Sequence, residues 1–333
     1  MCVDREQGTI AMTTDIIIYP PGSEPMRLDV FICSQLEGET RAAVQRLIDA
    51  GNILVDGHQA RASLKLKGGE QVTVEIPSPV AAEPKPESIP LDVLYEDHDL
   101  IVINKPAGLV VHPGAGNSSG TLVNALLAHC TDLSGIGGEL RPGIVHRLDK
   151  GTTGVLVAAK NDRAHQGLSA QFHVHSVKRI YQALVFGNPP EDNGKIEGII
   201  GRHPTERLRQ SGKARNGKHA VTRWRAKERY GRITLMELRL ETGRTHQIRV
   251  HLTEAGFPLL GDPLYPDGGR VNNLADPRLK KMITSLGRQA LHARTLGFIH
   301  PATAEYLEFT TEMPDDMQAL CTYLTGLSTP AAS

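Results

Sequence analysis

The 333-residue chain is poor in cysteine and aromatic residues, and it has no formal net charge. Its four cysteines (Cys2, Cys33, Cys130 and Cys321) stand singly without CxxC spacing, which argues against a disulfide framework or a zinc site. No apolar run approaches the length of a membrane span, and Met1–Thr14 lacks the pattern of a signal peptide, so we expect a cytoplasmic protein without a membrane partner. The motifs GxGxxG and GxxxxGKS/T are also missing, which disfavours nucleotide-cofactor folds.

The neutral total hides an uneven distribution of charge. Residues 1–90 contain 8 Lys and Arg against 13 Asp and Glu, whereas residues 141–251 contain 22 against 9, a surplus of 13 positive charges. A charge run is usually a solvated surface, but this one is broad and spans several predicted elements. It therefore indicates a polyanionic partner, and nucleic acid is the favoured one.

The length of the chain suits one large domain and a smaller one. Residues 1–25 lack periodicity and are expected to form a flexible leader. A compact module is predicted over 26–76, followed by a Pro-rich linker over 77–88. Residues 89–325 show many short strands and few long helices, so the class predicted for the large domain is α+β.

The first module combines helical and strand patterns. Apolar residues at helical spacing predict helices over Leu28–Leu36 and Val44–Ile48, and the strands are expected over Ile53–Val55 and Gln71–Ile76. Thr40 is placed to cap the second helix and Gly51 to end it.

This arrangement resembles the S4 RNA-binding domain over about 50 residues. The likeness rests on Arg27-Leu-Asp, Thr40-Arg41, Gln45–Gly51, Ile53–Gly57 and Lys67–Glu70. It implies RNA binding through Arg27, Thr40, Arg41 and Arg46. The pattern departs at Thr40 and Asp56, where Ser and Asn are more typical, and Glu37 and Glu39 oppose RNA binding by charge, so a small packing module is the alternative.

The segment Ile144–Lys160 holds a single aspartate, Asp149, between two apolar runs that look like strands, Gly143–Val145 and Val155–Ala159. Asp149 follows a His-Arg-Leu sequence and precedes a Gly/Thr loop. A carboxylate in a glycine-bounded turn among cations is typical of a nucleophile or base held toward a ligand. The common alternative is a hairpin aspartate that only binds backbone amides.

Three more residues have ordinary explanations when each is taken alone. Tyr181 suits a core tyrosine in a strand, Arg249 a surface residue of the helix that follows the strand Ile233–Leu240, and Leu291 plain packing. A metal cluster of His165, His173 and His175 lacks a downstream ligand set, so no metal is expected.

Together, the segments from Leu91 to Pro314 resemble the RluA/RluD family of pseudouridine synthases, in its large-subunit ribosomal RNA branch. The most specific motifs are His146-Arg-Leu-Asp-Lys-Gly-Thr-Thr-Gly154 and Thr242-Gly-Arg-Thr-His-Gln-Ile-Arg249, with support from Val111–Gly116 and Arg141–His146. Gly151 departs from the pattern, since Asp is common there. The resemblance implies a mixed, mainly antiparallel sheet with flanking helices and loops. It also implies isomerisation of uridine to pseudouridine, with 23S ribosomal RNA as the partner, and we expect a monomer.

The resemblance also assigns the site residues. Asp149 is the expected catalytic carboxylate, which attacks the sugar C1′ or assists formation of a glycal-type intermediate, and Arg249 supplies the cation that an ionised carboxylate needs in a closed pocket. Tyr181 is expected to stack on the target base, Leu291 to pack on its other side, and Arg147 to fill the space left by the flipped base. The other substrate-binding candidates are His146, Leu148, Arg244, His246 and Gln247. No cofactor is needed, because the uracil never leaves the site and no redox change occurs.

Other functions stay open at this point. One is an RluA-family synthase that acts on another ribosomal or transfer RNA site, and another is a non-catalytic ribosome-assembly factor that binds RNA. A hydrolytic glycosidase would need a second carboxylate beside Asp149, and none is evident. A deaminase is excluded because the HxE…PCxxC pattern is absent.

Overall fold

The computed structural model describes residues 12–36, 40–77, 84–114, 117–130, 133, 142–206, 208–214 and 216–328. The chain divides into two compact units, with the division between Ala81 and Ala82. Among these residues, no helix has both the length and the apolar character needed to cross a membrane.

The first unit is a four-stranded antiparallel sheet, in the order β1-β6-β3-β4, accompanied by two helices and a two-stranded β2-β5 sheet. Its elements are β1 (Met12–Ile18), β2 (Met26–Arg27), α1 (Leu28–Gln35), α2 (Arg41–Asp49), β3 (Ile53–Val55), β4 (His58–Gln59), β5 (Lys65–Leu66) and β6 (Gln71–Pro77). Apolar residues of both helices and of β3, β5 and β6 form one core. The helical spacing seen in the sequence thus reflects burial against this sheet.

The prediction of a flexible leader over residues 1–25 is wrong for residues 12–25. β1 pairs with β6 along its whole length, and the Tyr19 ring packs edge-on against Phe31. Local periodicity missed this strand because its partner lies far along the chain, so its stability comes from a non-local pairing. Residues 1–11 lie outside the described residues, as do Glu37 and Glu39.

Some residues of the Pro-rich linker predicted over 77–88 belong to the two units instead. Pro77 ends β6, and residues 78–83 lie outside the part of the chain that the structure describes. The backbone carbonyl of Lys85 accepts a hydrogen bond from Asn124 Nδ2 (2.7 Å), and the Glu87 N–H donates to the Asn124 carbonyl (2.9 Å). These two residues therefore pack as part of the second unit.

The second unit is built on a ten-stranded sheet in the order β12-β11-β13-β14-β10-β15-β9-β8-β7, with β16 also pairing with β15. Its elements are β7 (Val93–Glu96), β8 (Leu100–Lys105), α3 (Leu122–His129), β9 (Thr153–Ala159), α4 (Asp162–His173), β10 (Lys178–Phe186), β11 (Asn193–Arg202), β12 (Gln210–Ser211), β13 (Lys218–Tyr230), β14 (Ile233–Leu240), α5 (Gln247–Glu254), α6 (Pro277–Ser285), β15 (Leu291–Ile299), β16 (Tyr306–Thr310) and α7 (Asp315–Ser328). Of the described pairings in this sheet, β9 with β15 is parallel and the others are antiparallel. The predicted α+β class is confirmed.

The middle of this sheet is covered on both faces. Along β9, Leu156 and Ala158 join one apolar core, while Val155, Val157 and Ala159 join another on the opposite face. A strand that is buried on both faces reads as a continuous apolar run, as β9 does. The first of these cores also contains the inward side chains of β10 and β15, and it forms the floor of the cavity described below.

Asp149 does not lie in a hairpin. The predicted strand Gly143–Val145 forms only a single bridge in the described structure, between Ile144 and Ala158. The residues that follow make a loop that leads into β9, and the Thr152 N–H donates to the carbonyl of Asp149 (3.0 Å). The carboxylate is thus presented from a loop above the buried end of β9.

Candidate active site

A cavity of about 570 Å³ opens between the Asp149 loop, β10, the end of α4 and the start of α5. A cavity of this volume falls in the range that binds a small ligand. All ten residues predicted to be catalytic or substrate-binding in this unit line it: His146, Arg147, Leu148, Asp149, Tyr181, Arg244, His246, Gln247, Arg249 and Leu291.

The Asp149 carboxylate is paired with Arg249, as expected for a charged group in a closed pocket. Arg249 Nη1 donates to Asp149 Oδ2 at 3.1 Å, across 100 positions of sequence. The Asp149 side chain is 16% exposed and that of Arg249 is 6% exposed. Oδ1 of Asp149 accepts no hydrogen bond from any described residue, which leaves it available to a ligand in the cavity that Asp149 lines.

Arg249 has a second carboxylate partner that the sequence did not reveal. Asp262 accepts two hydrogen bonds from it, from Nε (2.8 Å) and Nη2 (2.7 Å), and the Asp262 side chain is fully buried. The N–H groups of Leu264 and Tyr265 also donate to Asp262. Burial by itself lowers the pKa of Arg249, but the hydrogen bonds and charge of Asp262, together with Asp149, outweigh it and raise the pKa. A bidentate contact fixes the plane of the guanidinium and therefore aims Nη1 at Asp149.

His246 approaches the same carboxylate from the start of α5. Its Nε2 lies 3.8 Å from Asp149 Oδ2, and its Nδ1 lies 2.9 Å from the Tyr265 hydroxyl. Burial lowers the pKa of His246, although the charge of Asp149 opposes this, so the imidazole is neutral at neutral pH. The Tyr265 hydroxyl accepts from the Gln210 N–H (2.8 Å) and also lies 3.4 Å from the Gln210 carbonyl, to which it donates. Tyr265 therefore links His246 to the Gln210 backbone.

Gln247 lines the cavity but is engaged entirely by the protein. Its Oε1 accepts from Thr242 Oγ1 (2.7 Å) and from the Arg244 N–H (3.0 Å). Its Nε2 donates to the Val221 carbonyl (2.9 Å) and to Thr222 Oγ1 (3.0 Å). These four bonds use the full capacity of the amide. Gln247 thus holds the beginning of α5 in place, and with it the turn that carries Arg249.

His146 and Arg147 occupy different environments. His146 stacks on the Phe172 ring (4.5 Å between centroids), and its Nε2 accepts from the Val157 N–H (3.1 Å). Burial, with the charge of Arg179, lowers the pKa of His146 to about 3. Arg147 is exposed, and its guanidinium lies 3.3 Å from Nε2 of His112 on the cavity wall. His146 therefore holds the Asp149 loop in place, whereas Arg147 remains accessible to a partner.

The apolar wall of the cavity comes from Tyr181, Leu148 and Leu291. Each belongs to the main core and is less than a tenth exposed. The pairing of β10 with β15 shifts register between Ile180 and Gln182, at Tyr181 itself. Such irregularities redirect side chains next to functional sites. The Tyr181 hydroxyl has no hydrogen-bond partner among the described residues, and burial raises its pKa.

Lys105 lies under the Asp149 loop and was not identified from the sequence. It is fully buried at the end of β8, and its ammonium donates to the carbonyls of Pro106 (2.8 Å), Leu109 (2.9 Å) and Lys150 (3.3 Å). Burial lowers the pKa of Lys105 to about 7, against the charge of Asp149. The contact with Lys150 ties the loop to the sheet.

Gly151, the departure from the family pattern, sits in a confined place. A Cβ there would lie 2.7 Å from Oε1 of Gln289, and the Gly151 carbonyl accepts from Arg288 (3.1 Å). A side chain at this position therefore requires Gln289 to move.

In the first unit, the residues predicted to bind RNA fall into two groups. Arg27 and Arg41 both bind the buried carboxylate of Asp29, at 3.0 and 2.9 Å. The hydrogen bond from Arg27 is the largest cause that holds the pKa of Asp29 well below its usual range. Thr40 and Arg46 are exposed. RNA binding by these four residues stays a prediction.

The histidines considered as metal ligands do not form a cluster among the described residues. The one group of ligand atoms found there is Asp97, Asp99 and His300, within 4.8 Å of one another. These residues do not line the cavity.

Comparison with known proteins gives consistent matches for both units. The family model described as RNA pseudouridylate synthase matches residues 99–254, and the S4 domain model matches residues 26–72. The chain is 48% identical to the uncharacterized RNA pseudouridine synthase YlyB of Bacillus subtilis, over 88% of this chain and 92% of that protein. It is 46% identical to the ribosomal large subunit pseudouridine synthase D of Zymomonas mobilis, over 88% of this chain and 92% of that protein.

A solved structure matches as well. Human RNA pseudouridylate synthase domain containing 4 superposes with a TM-score of 0.53 at 27% identity, covering 70% of this chain and 92% of that one.

Proposed function

Because the chain belongs to the RNA pseudouridine synthase family, we propose that it modifies 23S ribosomal RNA of the large subunit, with Asp149 as its catalytic nucleophile. Family membership confirms the predicted synthase fold, the S4 domain and the activity itself, the isomerisation of uridine to pseudouridine in RNA. The choice of RNA is supported by the relatives that carry the name ribosomal large subunit pseudouridine synthase D.

The observation that carries the role of Asp149 is its placement. One oxygen of the carboxylate is bound by Arg249, the other accepts no hydrogen bond from the described residues, and Asp149 and Tyr181 line the same cavity. A buried anion of this kind is costly without its cation, and a guanidinium stays charged at all relevant pH values. The pair therefore provides the partly buried carboxylate with its counterion, as a carboxylate nucleophile in a pocket requires.

The proposed sequence of events uses the residues of the cavity wall. The target uridine leaves its stack, which costs a few kcal/mol, and its base enters against the Tyr181 ring, with Leu291 on the other side. Arg147, exposed at the rim, fills the gap in the RNA. Oδ1 of Asp149 attacks C1′ as the glycosidic C–N bond breaks. The uracil, detached as an anion at N1, turns within the cavity, and its C5 bonds to C1′ as the carboxylate leaves. The C5 proton is then lost to solvent while N1 takes up a proton, which gives neutral pseudouridine.

Partner and location follow from the same proposal. A ribosomal RNA substrate places the enzyme in the cytoplasm with assembling large subunits, and we propose that it acts as a monomer. The surplus of 13 positive charges over residues 141–251 lies in the unit that contains the cavity, where it favours RNA approach.

The experiment is site-resolved pseudouridine mapping of total RNA from a strain that lacks this protein, beside the parent and a complemented strain. We expect pseudouridine to disappear from a small set of 23S positions and to return on complementation. Loss confined to transfer RNA or to another ribosomal RNA would assign the enzyme to a different target. Unchanged 23S modification would refute the proposal.

A further inference from the structure

Arg179 is a buried cation without a partner. The residue is 6% exposed, lies on β10 two positions before Tyr181, and lines the same cavity. Its Nε and Nη2 are buried and make no hydrogen bond. No carboxylate of the described residues pairs with it, and its guanidinium carbon lies over the Phe172 ring, 5.8 Å from the ring centroid.

The groups around Arg179 add positive charge. Burial is the main cause that lowers the pKa of Arg179; the Tyr181 side chain opposes it, and the charge of Arg244 lowers the pKa further. The same two arginines, after burial, lower the pKa of His175, which also lines the cavity. Asp149, a carboxylate that lines the cavity, is held by Arg249 instead. This side of the cavity is therefore a set of like charges that lacks an anion.

Such an arrangement is unfavourable in the free protein. A buried charge normally has a counterion and a full set of hydrogen bonds, and leaving either out costs free energy of folding. A ligand that supplies the missing anion offsets this cost in free energy. A guanidinium matches a phosphate group closely, since two parallel N–H groups can bind two of its oxygens.

We propose that Arg179, together with Arg244, binds the backbone phosphate of the nucleotide that occupies the cavity. The inference rests on the proposed function, because it takes the ligand of the cavity to be a flipped nucleotide. Arg179 and Tyr181 line the same cavity from positions two residues apart on β10, which is roughly 6.6 Å or less along the strand. A single nucleotide spans this separation from its base to its own phosphate. Arg179 thus fixes the nucleotide by its phosphate while Tyr181 contacts the base.

Gly243 shapes the place where the guanidinium lies. A Cβ at Gly243 would be 2.7 Å from Arg179 Nη1, so the absence of a side chain there leaves room for the guanidinium. Gly243→Ala displaces the cation without removing it. Gly198→Ala is the matched control, because a Cβ there meets nothing within 4 Å.

The test combines protein variants with RNA in which single phosphates are made neutral. Wild-type enzyme and Arg179→Met are assayed on an RNA that the wild type modifies, and methylphosphonate replaces each phosphate near the target in turn. We expect one replacement to lower kcat/KM of the wild type roughly 10- to 100-fold, as expected for loss of a charged hydrogen bond. On RNA without methylphosphonate, Arg179→Met should show the same loss of kcat/KM. Replacing that one phosphate should then cause no additional loss in the variant. Gly243→Ala should show a smaller loss, and Arg225→Gln, an exposed arginine away from the cavity, should behave as wild type.

Two further readouts separate phosphate binding from a structural role. The slope of log affinity against log salt should fall by about 0.7 in Arg179→Met, the value for one phosphate contact on a single strand. The melting temperature of the free variant should be equal to or above that of the wild type, because an unpaired buried charge has been removed.

The inference would be overturned if the loss of kcat/KM in Arg179→Met added to the loss from methylphosphonate at every phosphate. It would also be overturned if Arg179→Met clearly lowered the melting temperature and left the salt slope unchanged. Failure of the proposed function is seen separately. If the proposed function is wrong, the wild type does not modify 23S RNA. The methylphosphonate assay is then carried out on the RNA that the wild type does modify.

Discussion

Arg249 is shared by two carboxylates with different surroundings. Asp262 is fully buried and holds it by two hydrogen bonds, while Asp149 is partly exposed and receives one. The buried partner therefore sets the orientation of the guanidinium, and the exposed one is free to meet a ligand. In this account Asp262 is a positioning residue that acts through Arg249.

Asp262→Asn should lower kcat with little change in KM. The amide cannot receive both N–H groups of Arg249, so the guanidinium loses its fixed plane and Asp149 loses its aligned partner. Breaking a buried pair should also cost about 3 kcal/mol of stability. Asp267→Asn is the control, since among the described residues Asp267 accepts hydrogen bonds only from the N–H groups of Gly269 and Val271. Steady-state kinetics within twofold of wild type, with unchanged stability, would contradict the role of Asp262.

His146 should make stability depend on pH. Its pKa is lowered by burial to about 3 in the folded protein, against about 6.5 in an unfolded chain. Between these values the unfolded state binds a proton that the folded state does not, so stability is lost as pH falls below 6.5. The slope is at most about 1.4 kcal/mol per pH unit.

Urea unfolding at pH 5.5 and 6.5, followed by the fluorescence of the single tryptophan, Trp224, measures this effect in the second unit. We expect His146→Gln to lose less stability than the wild type between the two pH values. Equal losses would show that His146 takes up its proton in the folded state as readily as in the unfolded one.

At the scale of elements, the parallel junction of β9 and β15 depends on a glycine. Gly154 has a φ of +110°, and a Cβ there would lie 2.1 Å from the carbonyl oxygen of Ala293 on the neighbouring strand. Because this is backbone, no side-chain rotation relieves the clash. The end of the Asp149 loop is thereby set directly against the strand that carries Leu291.

Gly154→Ala should destabilise the second unit by roughly 3 kcal/mol or more, from strained backbone and a displaced strand. Gly198→Ala, on β11 without a positive φ or a near neighbour, should change stability by less than about 0.5 kcal/mol. Thermal unfolding compares the stabilities of the two variants. Similar melting temperatures would mean that β9 and β15 can separate with little loss of stability.

Elements with strong local patterns were predictable, and features that depend on distant partners were not. The helices α1 and α2 and the strand β14 follow from apolar spacing and turn residues in the sequence. β1 was missed because it is stabilised by β6. Asp262 and the unpaired Arg179 were missed because their significance depends on which side chains the fold brings together.

At the scale of the whole molecule, the two units differ in charge and in predicted task. Removal of residues 1–81 should weaken RNA affinity or change the choice of site by about tenfold or more, since a second binding module is lost. The rate of conversion of bound RNA should change much less, because the cavity residues all lie in the second unit. Single-turnover rates at saturating enzyme, beside measured affinities, distinguish the two effects. Collapse of the bound turnover rate with unchanged affinity would contradict this division of labour.

The central claim is that Asp149 performs the chemistry, and Asp149→Asn tests it most directly. Asparagine keeps the size of the side chain but removes the charge and the nucleophilic oxygen. On an RNA that the wild type modifies, we expect single-turnover pseudouridine formation to fall by more than about 10⁴-fold, while RNA affinity and melting temperature change little. Formation within about tenfold of the wild-type rate would contradict the account.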